Sequence, residues 1–230
     1  MKKVDISERL SSYLRQSEVD HELSFLHDES DIRRNLSERL DQLIAELYHA
    51  VSTPIASITE ESDYQLSVGA SFIKSHFVIR PLILAGNIIE AYTLIRKQLE
   101  CLARLNELEI TLAKKLSGKT PNIQNSMGKE HKQFYEKLSR VAHFSTFAVG
   151  GYLDRENVDA GSEINVYSRF SKNSVDCDEA RMVVALLFCQ WHIKKMGNWY
   201  PDLDLLEFKA ECAQLFSFSE QLGITAEVES

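Results

Sequence analysis

The stretch YEKLSRVAHFS places a tyrosine, a serine and a histidine at intervals of four residues. On an α-helix such residues lie in one row, so Tyr135, Ser139 and His143 are expected to share a face. We call them the Tyr–His row. It lies along the boundary between an apolar and a charged face of the helix. A polar group there is shielded from water on the core side and accessible to solvent or a ligand on the other. An imidazole in that setting is suited to general acid–base chemistry, and the two hydroxyls can hydrogen-bond to a ligand.

A second polar row lies on the long helix predicted after Asn87. Arg96, Glu100 and Glu107 fall on one line with Arg104 beside it, and apolar residues flank them on both sides, so this Arg–Glu row is expected to face partly inward. Buried charges need partners. An Arg followed four residues later by Glu is the poorer orientation for a pair within one helix. We therefore predict that Glu100 lies within hydrogen-bond or one-water reach of the Tyr–His row.

Each row has a structural and a functional interpretation. Arg96 with Glu100 is either a structural ion pair between helices or a ligand or catalytic site, because structural networks also perturb ionisable groups. Tyr135, Ser139 and His143 are either a hydrogen-bond network at the boundary or part of that site. The structural interpretation is favoured for both. Serine hydrolase chemistry is disfavoured, since no GxSxG turn surrounds Ser139.

Motifs for metals, nucleotides and cofactors are missing from the sequence. The seven histidines form no HExxH, and the helices carry no paired Glu-x-x-His of a di-iron bundle. Gly150 and Gly151 have neither a Walker lysine nor Rossmann spacing. We expect no metal and no cofactor.

Charge and cysteine usage narrow the function classes. The 26 Lys and Arg against 34 Asp and Glu give a formal net charge of −8, which disfavours non-specific binding to nucleic acid or to an anionic membrane. The four cysteines form no CxxC and the chain opens without an apolar signal core, so free thiols and a cytoplasmic location are expected. The most apolar run, FVIRPLILAGNII, is shorter than the roughly 20 residues of a spanning helix, so no membrane association is expected.

Few glycines (9) and prolines (4) and long stretches of helical periodicity predict an all-α helical bundle. We divide the chain into an N-terminal helical extension (1–30), a bundle domain (31–220) and a polar tail (221–230). An irregular insertion is expected at 146–176, where the alternation of INVYSRF indicates a short strand or an extended loop.

The predicted helices follow from apolar stripes and from breakers. The extension begins with a helix over 5–15, and HELSFLHDESD is interpreted as a loop or weak helix. DIRRNLSERLDQLIAELYHAV is the first long helix. The next helix should begin near 61–64, Pro81 should kink or break it after Arg80, and Gly86 should end it. Asn87 should then cap a helix continuing to Leu116 through a capping box with Glu90. The loop GKTPNIQNSMG leads to the helix of the Tyr–His row. Helix resumes at about Asp178, and MVVALLFC should be central and buried.

Two motifs resemble an uncharacterised bacterial all-helical family, a domain of unknown function. The first has the form Ala-x-x-Leu-x-Arg-x-x-x-Glu and the second Tyr-x-x-Leu-Ser-x-x-x-His. The likeness covers roughly 62–145 and implies a helical bundle without implying an activity. The residues that carry it are Ala91, Leu94, Arg96 and Glu100 on one helix and Tyr135, Leu138, Ser139 and His143 on the next.

A more distant resemblance is to the HEPN superfamily, helical bundles that often dimerise and in many cases cut RNA without a metal. Their arginine and histidine are separated by four to six residues, whereas Arg140 lies only three positions before His143. Arg96 could supply the cation instead. The catalytic candidates are therefore His143, Arg96 and Glu100, and the ligand-binding candidates are Tyr135, Ser139 and Arg140.

Two functions remain open. The leading hypothesis is a non-enzymatic module that senses a ligand or binds a protein partner. We expect it to be a homodimer that buries the broad apolar face of the last helix, LLEFKAECAQLFSF. The alternative is a HEPN-like, metal-independent ribonuclease or toxin that acts in phage defence, with RNA as its substrate. In it His143 acts as general acid or base, and Arg96 or Arg140 stabilises phosphate charge.

Overall fold

The computed structural model describes residues 6–51, 55, 57–143, 155–158, 161–164 and 169–224, with side chains from residue 8 onward and outside 155–164. These ranges form an all-α helical bundle with one short antiparallel hairpin, which confirms the predicted fold class. The elements are α1 (Ile6–Asp28), α2 (Asp31–Ala50), α3 (Glu60–Leu84), α4 (Ile88–Glu107), α5 (Ala113–Leu116), α6 (Ile123–Met127), α7 (Lys129–Ala142), β1 (Arg155–Val158), β2 (Gly161–Ile164), α8 (Lys172–Trp199) and α9 (Leu206–Gln221).

Helix α8 lies at the centre of the bundle. One side of it packs with α3, α4 and α7 around Phe72, Ile95, Leu99 and Phe188, and the other packs with α2 and α9 around Leu40. Because both sides of α8 are covered, its residues must be apolar almost all round, as the run MVVALLFC is. The prediction that this run forms a central, buried helix is confirmed.

The beginnings of α2 and α3 follow from their capping residues. The Ser30 side chain accepts a hydrogen bond from the backbone of Arg33, and Thr59 exchanges hydrogen bonds with Ser62 in a capping box. Contrary to expectation, Pro81 does not end α3, which continues to Leu84. Pro81 is exposed and lies in the last turn of α3. Its missing N–H removes one backbone hydrogen bond there, and water can reach the carbonyl that is left unpaired.

The turn between α3 and α4 confirms the predicted stop at Gly86 and the predicted N-cap position at Asn87, but the predicted capping box is wrong. Gly86 has a φ of 75°, its N–H bonds to the Ile83 carbonyl at 2.9 Å, and the Asn87 N–H bonds to the Leu82 carbonyl at 2.8 Å. This is a Schellman ending, and it needs a glycine at the left-handed position. Asn87 is thereby held at ψ 62°, and its side chain makes no capping hydrogen bond to α4.

Other helix boundaries also differ from the predictions. The stretch HELSFLHDESD is mostly helical, because α1 runs unbroken to Asp28 with Phe25 in the main core. Helix α4 stops at Glu107, and α5 packs apart from it in a small cluster with Leu108. Part of GKTPNIQNSMG forms α6, anchored by buried Ile123, and α8 begins at Lys172. The helix predicted over 5–15 is too short, because burial of side chains such as Phe25 against the bundle outweighs the local polarity of the sequence.

The predicted insertion is described only in part. Strands β1 and β2 pair antiparallel, with Arg155 opposite Ile164. The stretch INVYSRF begins at the end of β2, and residues 165–168 lie outside the described residues, as does 225–230 of the predicted tail. Among the helices described, none is both long and apolar enough to cross a membrane. The division into three segments stays a prediction.

Candidate functional site

The two polar rows meet between α4 and α7. The Tyr135 hydroxyl donates to Glu100 Oε1 at 2.7 Å, and Arg96 donates to the same oxygen through Nε at 3.1 Å and Nη2 at 3.0 Å. Arg96 Nη1 lies 2.6 Å from His143 Nε2. The prediction that Glu100 reaches the Tyr–His row is confirmed. We call the set Arg96, Glu100, Tyr135, Ser139 and His143 the Arg96 cluster.

The boundary predicted between the two faces of α7 explains how its residues reach α4. Leu138 and Val141 are buried, Tyr135 and Ser139 are half-buried, and His143 is exposed at the end of the helix. The side chains of the two charged residues on α4 are 20% exposed at Arg96 and 22% exposed at Glu100. The Arg96 cluster therefore runs from a semi-buried carboxylate to an imidazole in contact with solvent.

Burial and pairing set the charge states inside the cluster. Desolvation opposes the charge of Arg96, but the hydrogen bond and charge of Glu100 outweigh it and raise the pKa of Arg96. Burial, followed by the hydrogen bond to Glu100, raises the pKa of the Tyr135 phenol. Arg96 is thus held as a cation and Tyr135 as a neutral donor. The Arg96 guanidinium also lies 5.6 Å from the Tyr135 ring centroid, a cation–π contact that fixes its position.

The contact between Arg96 and His143 defines the role of the imidazole. A guanidinium can only donate, so His143 Nε2 accepts its hydrogen bond and the proton of the neutral ring is on Nδ1. Among the described residues, Glu100 and His143 engage three of the five N–H groups of Arg96. The rest of this donor set, together with the exposed imidazole, is suited to an oxyanion such as a phosphate group.

The ligand-binding candidates Ser139 and Arg140 differ in what they contact. The Ser139 hydroxyl hydrogen-bonds to Tyr135, and the Ser139 carbonyl accepts the backbone N–H of His143 at 3.0 Å. Ser139 is therefore engaged in positioning the row. Arg140 is exposed, and its Nε donates to the Glu136 carbonyl at 3.4 Å. The structure brings Arg96, not Arg140, into contact with the histidine.

The other end of the Arg–Glu row has a structural role. Arg104 is buried, donates to the Leu116 carbonyl at 3.2 Å and to the Lys119 carbonyl, and pairs with Glu107 at 3.2 Å. Glu107 Oε1 accepts the backbone N–H of Asn122 at 2.7 Å. These contacts hold the chain around α5 and α6 against α4. The inward lean predicted for the row is confirmed, and among the described residues Arg104 is engaged by the backbone while Arg96 is partly exposed.

A buried charge network that the sequence interpretation missed lies between α2, α3 and α8. Arg181, whose side chain is 0% exposed, pairs with Asp178 at 2.8 Å and with Asp41 at 2.9 Å. Arg80 pairs with buried Glu29 at 3.0 Å and lies 3.5 Å from Asp178. Both arginines also donate to the Ser37 hydroxyl. We call this set the Arg181 network.

His76 lies at one side of the Arg181 network. Its Nε2 is 2.7 Å from Asp41 Oδ1, yet desolvation by burial outweighs that partner and lowers the pKa of His76. Burial also works against the charge of Asp41, but the hydrogen bonds and charges of His76 and Arg181 prevail and lower its pKa. The network thus keeps Asp41 ionised and His76 neutral while it joins three helices.

One sequence signal could have revealed the network. Asp178 and Arg181 are three residues apart on α8, immediately before its most apolar run, and Ser37 and Asp41 lie beside the apolar stripe of α2. Charged residues at the edge of a buried stripe indicate pairing across helices. The distances along the chain between the partners gave no further clue.

Comparisons with protein-family models, curated proteins and solved structures find no match for this chain. The resemblances to the uncharacterised bacterial family and to the HEPN superfamily therefore stay predictions. Within the described ranges no group of three His, Cys, Asp or Glu residues is arranged to hold a metal ion. The four cysteines are free thiols, as predicted, and burial raises the pKa of Cys101 to about 11.

Proposed function

We propose that this protein is a non-enzymatic helical module that senses an oxyanion ligand through the Arg96 cluster. The observation that carries the proposal is the contact of Arg96 with His143 across two helices at a partly exposed position. A guanidinium held by a carboxylate on one side and an imidazole on the other presents its remaining donors in a fixed orientation. The charge of α7 favours an anionic ligand, because its basic residues outnumber its acidic ones. The four basic residues are Lys129, Lys132, Lys137 and Arg140, and the two acidic residues are Glu130 and Glu136.

The same contacts provide a means of response. Arg96 and Glu100 tie α4 to α7 through His143 and Tyr135, so an anion bound to the remaining donors of Arg96 and to His143 acts directly on the contact between the two helices. Binding then changes how firmly α7 is held. This is the sensing step of the proposal, and it requires only that the ligand distinguish two positions of α7.

Isothermal titration calorimetry with inorganic phosphate tests the proposal. We expect saturable binding to the unaltered chain and at least about tenfold weaker binding to Arg96→Gln, because the variant loses a charged donor. Lys74→Gln removes an exposed charge on α3 and is the matched control, with affinity unchanged. Phosphate heats that are absent, or that are the same for Arg96→Gln as for Lys74→Gln, would rule the site out.

The second candidate function is a metal-independent ribonuclease of the HEPN-like type. The observation in its favour is that Arg96 supplies a cation beside His143, which the spacing of Arg140 does not. In this alternative His143 is the general acid or base and Arg96 stabilises phosphate charge. The formal net charge of −8 disfavours binding of a long polyanion such as RNA and keeps this candidate second.

A homodimer, a protein partner and a cytoplasmic location belong to the same proposal. The dimer was predicted from the apolar face of α9, but Cys212 and Leu215 on that face are buried against α2 and α8 of the same chain. The exposed pair Phe77 and Val78 on α3 is an alternative surface for a second copy. The dimer stays a prediction. Light scattering measures the mass of the particle, and a value of 26.3 kDa, the mass of one chain, would contradict it.

A further inference from the structure

A long groove runs along the face of α7 that carries Phe134, Lys137 and Leu138. Its volume is about 890 Å³, and α4, α7, α8 and α9 form its walls. Its apolar surface comes from Phe134, Leu138, Val183, Leu187 and Phe216. Phe134, Val183 and Leu187 are only half-buried, so apolar surface is open here among the described residues.

The shape of the groove suits an extended segment. Helix α8 contributes the stripe Asp176, Glu179, Ala180, Val183, Leu187 and Gln190, which follows helical spacing along one face. From 176 to 190 this stripe is about 21 Å long at about 1.5 Å per residue. That length equals nearly four turns of a second helix packed against α8.

The charged residues that line the groove are mostly acidic. Glu130 and Glu220 lie exposed at its edges, Asp176 and Glu179 lie near the start of α8, and Lys137 is the one Lys or Arg among the described lining residues. Glu179 pairs with Arg33 at 3.1 Å, which leaves three carboxylates of the groove outside the described ion pairs. Acidic edges around an apolar floor are complementary to a helix whose apolar face is flanked by lysine or arginine.

We propose that this groove is a docking site for a basic amphipathic helix of a partner protein. The partner's apolar side chains pack on Phe134, Val183 and Leu187, and its flanking cations pair with Glu130 and Glu220. The described lining of the groove shares no residue with the Arg96 cluster, although α4 and α7 contribute to both. An acidic chain with a net charge of −8 disfavours a second copy of itself as the occupant.

Binding of a fluorescent amphipathic peptide tests this assignment on the full chain. The probe has about 14 residues, with leucine at helical spacing and lysine elsewhere, and a second probe replaces every lysine by glutamate. We expect the lysine peptide to bind in a salt-sensitive way and the glutamate peptide to bind at least about tenfold more weakly. Fluorescence anisotropy measures both.

Charge-reversal variants locate the binding. Glu130→Lys with Glu220→Lys should weaken binding of the lysine peptide at least about tenfold. Glu22→Lys with Glu38→Lys changes the net charge equally at exposed positions of α1 and α2 and should bind nearly as the unaltered chain does. Equal affinities for the two double variants would show non-specific attraction and overturn the proposal, as would failure of the lysine peptide to bind. Val183→Gln, which leaves the charges intact, should also weaken binding.

Discussion

Replacing Arg181 by methionine is expected to lower the free energy of unfolding by about 3 to 5 kcal/mol. Arg181 is fully buried, and among the described residues its removal leaves the Asp178 carboxylate, also 0% exposed, with only the 3.5 Å contact to Arg80. Asp41 loses a partner at the same time. A loss of this size is a large part of the roughly 5 to 15 kcal/mol by which domains are stable. Urea unfolding followed by tryptophan fluorescence measures it.

Arg39→Met is the matched control for this experiment. Arg39 makes a two-point ion pair with Glu211 at 2.8 and 2.7 Å, but the two side chains are 26% and 31% exposed. Water can replace the lost contacts there, so a cost of at most about 1 kcal/mol is expected. If Arg181→Met unfolds at the same urea concentration as Arg39→Met, the Arg181 network does not hold α2, α3 and α8 together.

The second large effect is a loss of stability in mild acid that depends on His192. Both ring nitrogens of His192 lack a described hydrogen-bond partner, and the ring stacks on Phe188 at a centroid distance of 5.4 Å. Burial lowers the pKa of His192 from 6.5 to about 4. Above pH 6.5 the ring is neutral whether the chain is folded or unfolded. Between pH 6.5 and about 4 only the unfolded chain takes up the proton, so stability falls as the pH falls.

The size of that effect follows from the pKa difference. Each pH unit inside the window costs about 1.4 kcal/mol, so His192 removes about 2 kcal/mol between pH 7 and pH 5. His192→Phe cannot take up the proton and should lose this part of the dependence. The remaining acid sensitivity should include a share from His76, whose pKa burial also lowers. His27→Gln, at an exposed position, is the control. Identical pH profiles for His192→Phe and the unaltered chain would contradict the account.

Periodicity predicted much of the fold because burial leaves a regular trace. The apolar stripe of α2 and the apolar run of α8 were predicted from spacing alone, and Leu36, Leu40 and Leu186 are 0% exposed. Helix ends were harder to predict. Pro81 and the polar stretch before Asp31 act locally as breakers, yet packing on the bundle keeps both segments helical.

The candidate site was predictable where both members of a contact lay in recognisable rows. Glu100 and Tyr135 were expected to meet because two inward-leaning polar rows satisfy each other, and their 2.7 Å hydrogen bond shows that they do. The partners of Arg181 were not predictable in this way. Asp41 lies 140 residues from it along the chain, so the charged edges of the two helices indicate a pairing across helices without indicating which residues pair.

Incubation of single-stranded RNA with the protein in EDTA, read on a denaturing gel, tests most directly whether the Arg96 cluster is non-enzymatic. The account predicts that the RNA stays intact at every protein concentration. General acid–base catalysis typically contributes about 10²- to 10⁴-fold, so a ribonuclease would lose its cutting in His143→Ala while its melting temperature, at this exposed position, stays unchanged. RNA cleavage that disappears in His143→Ala without loss of stability would contradict the account.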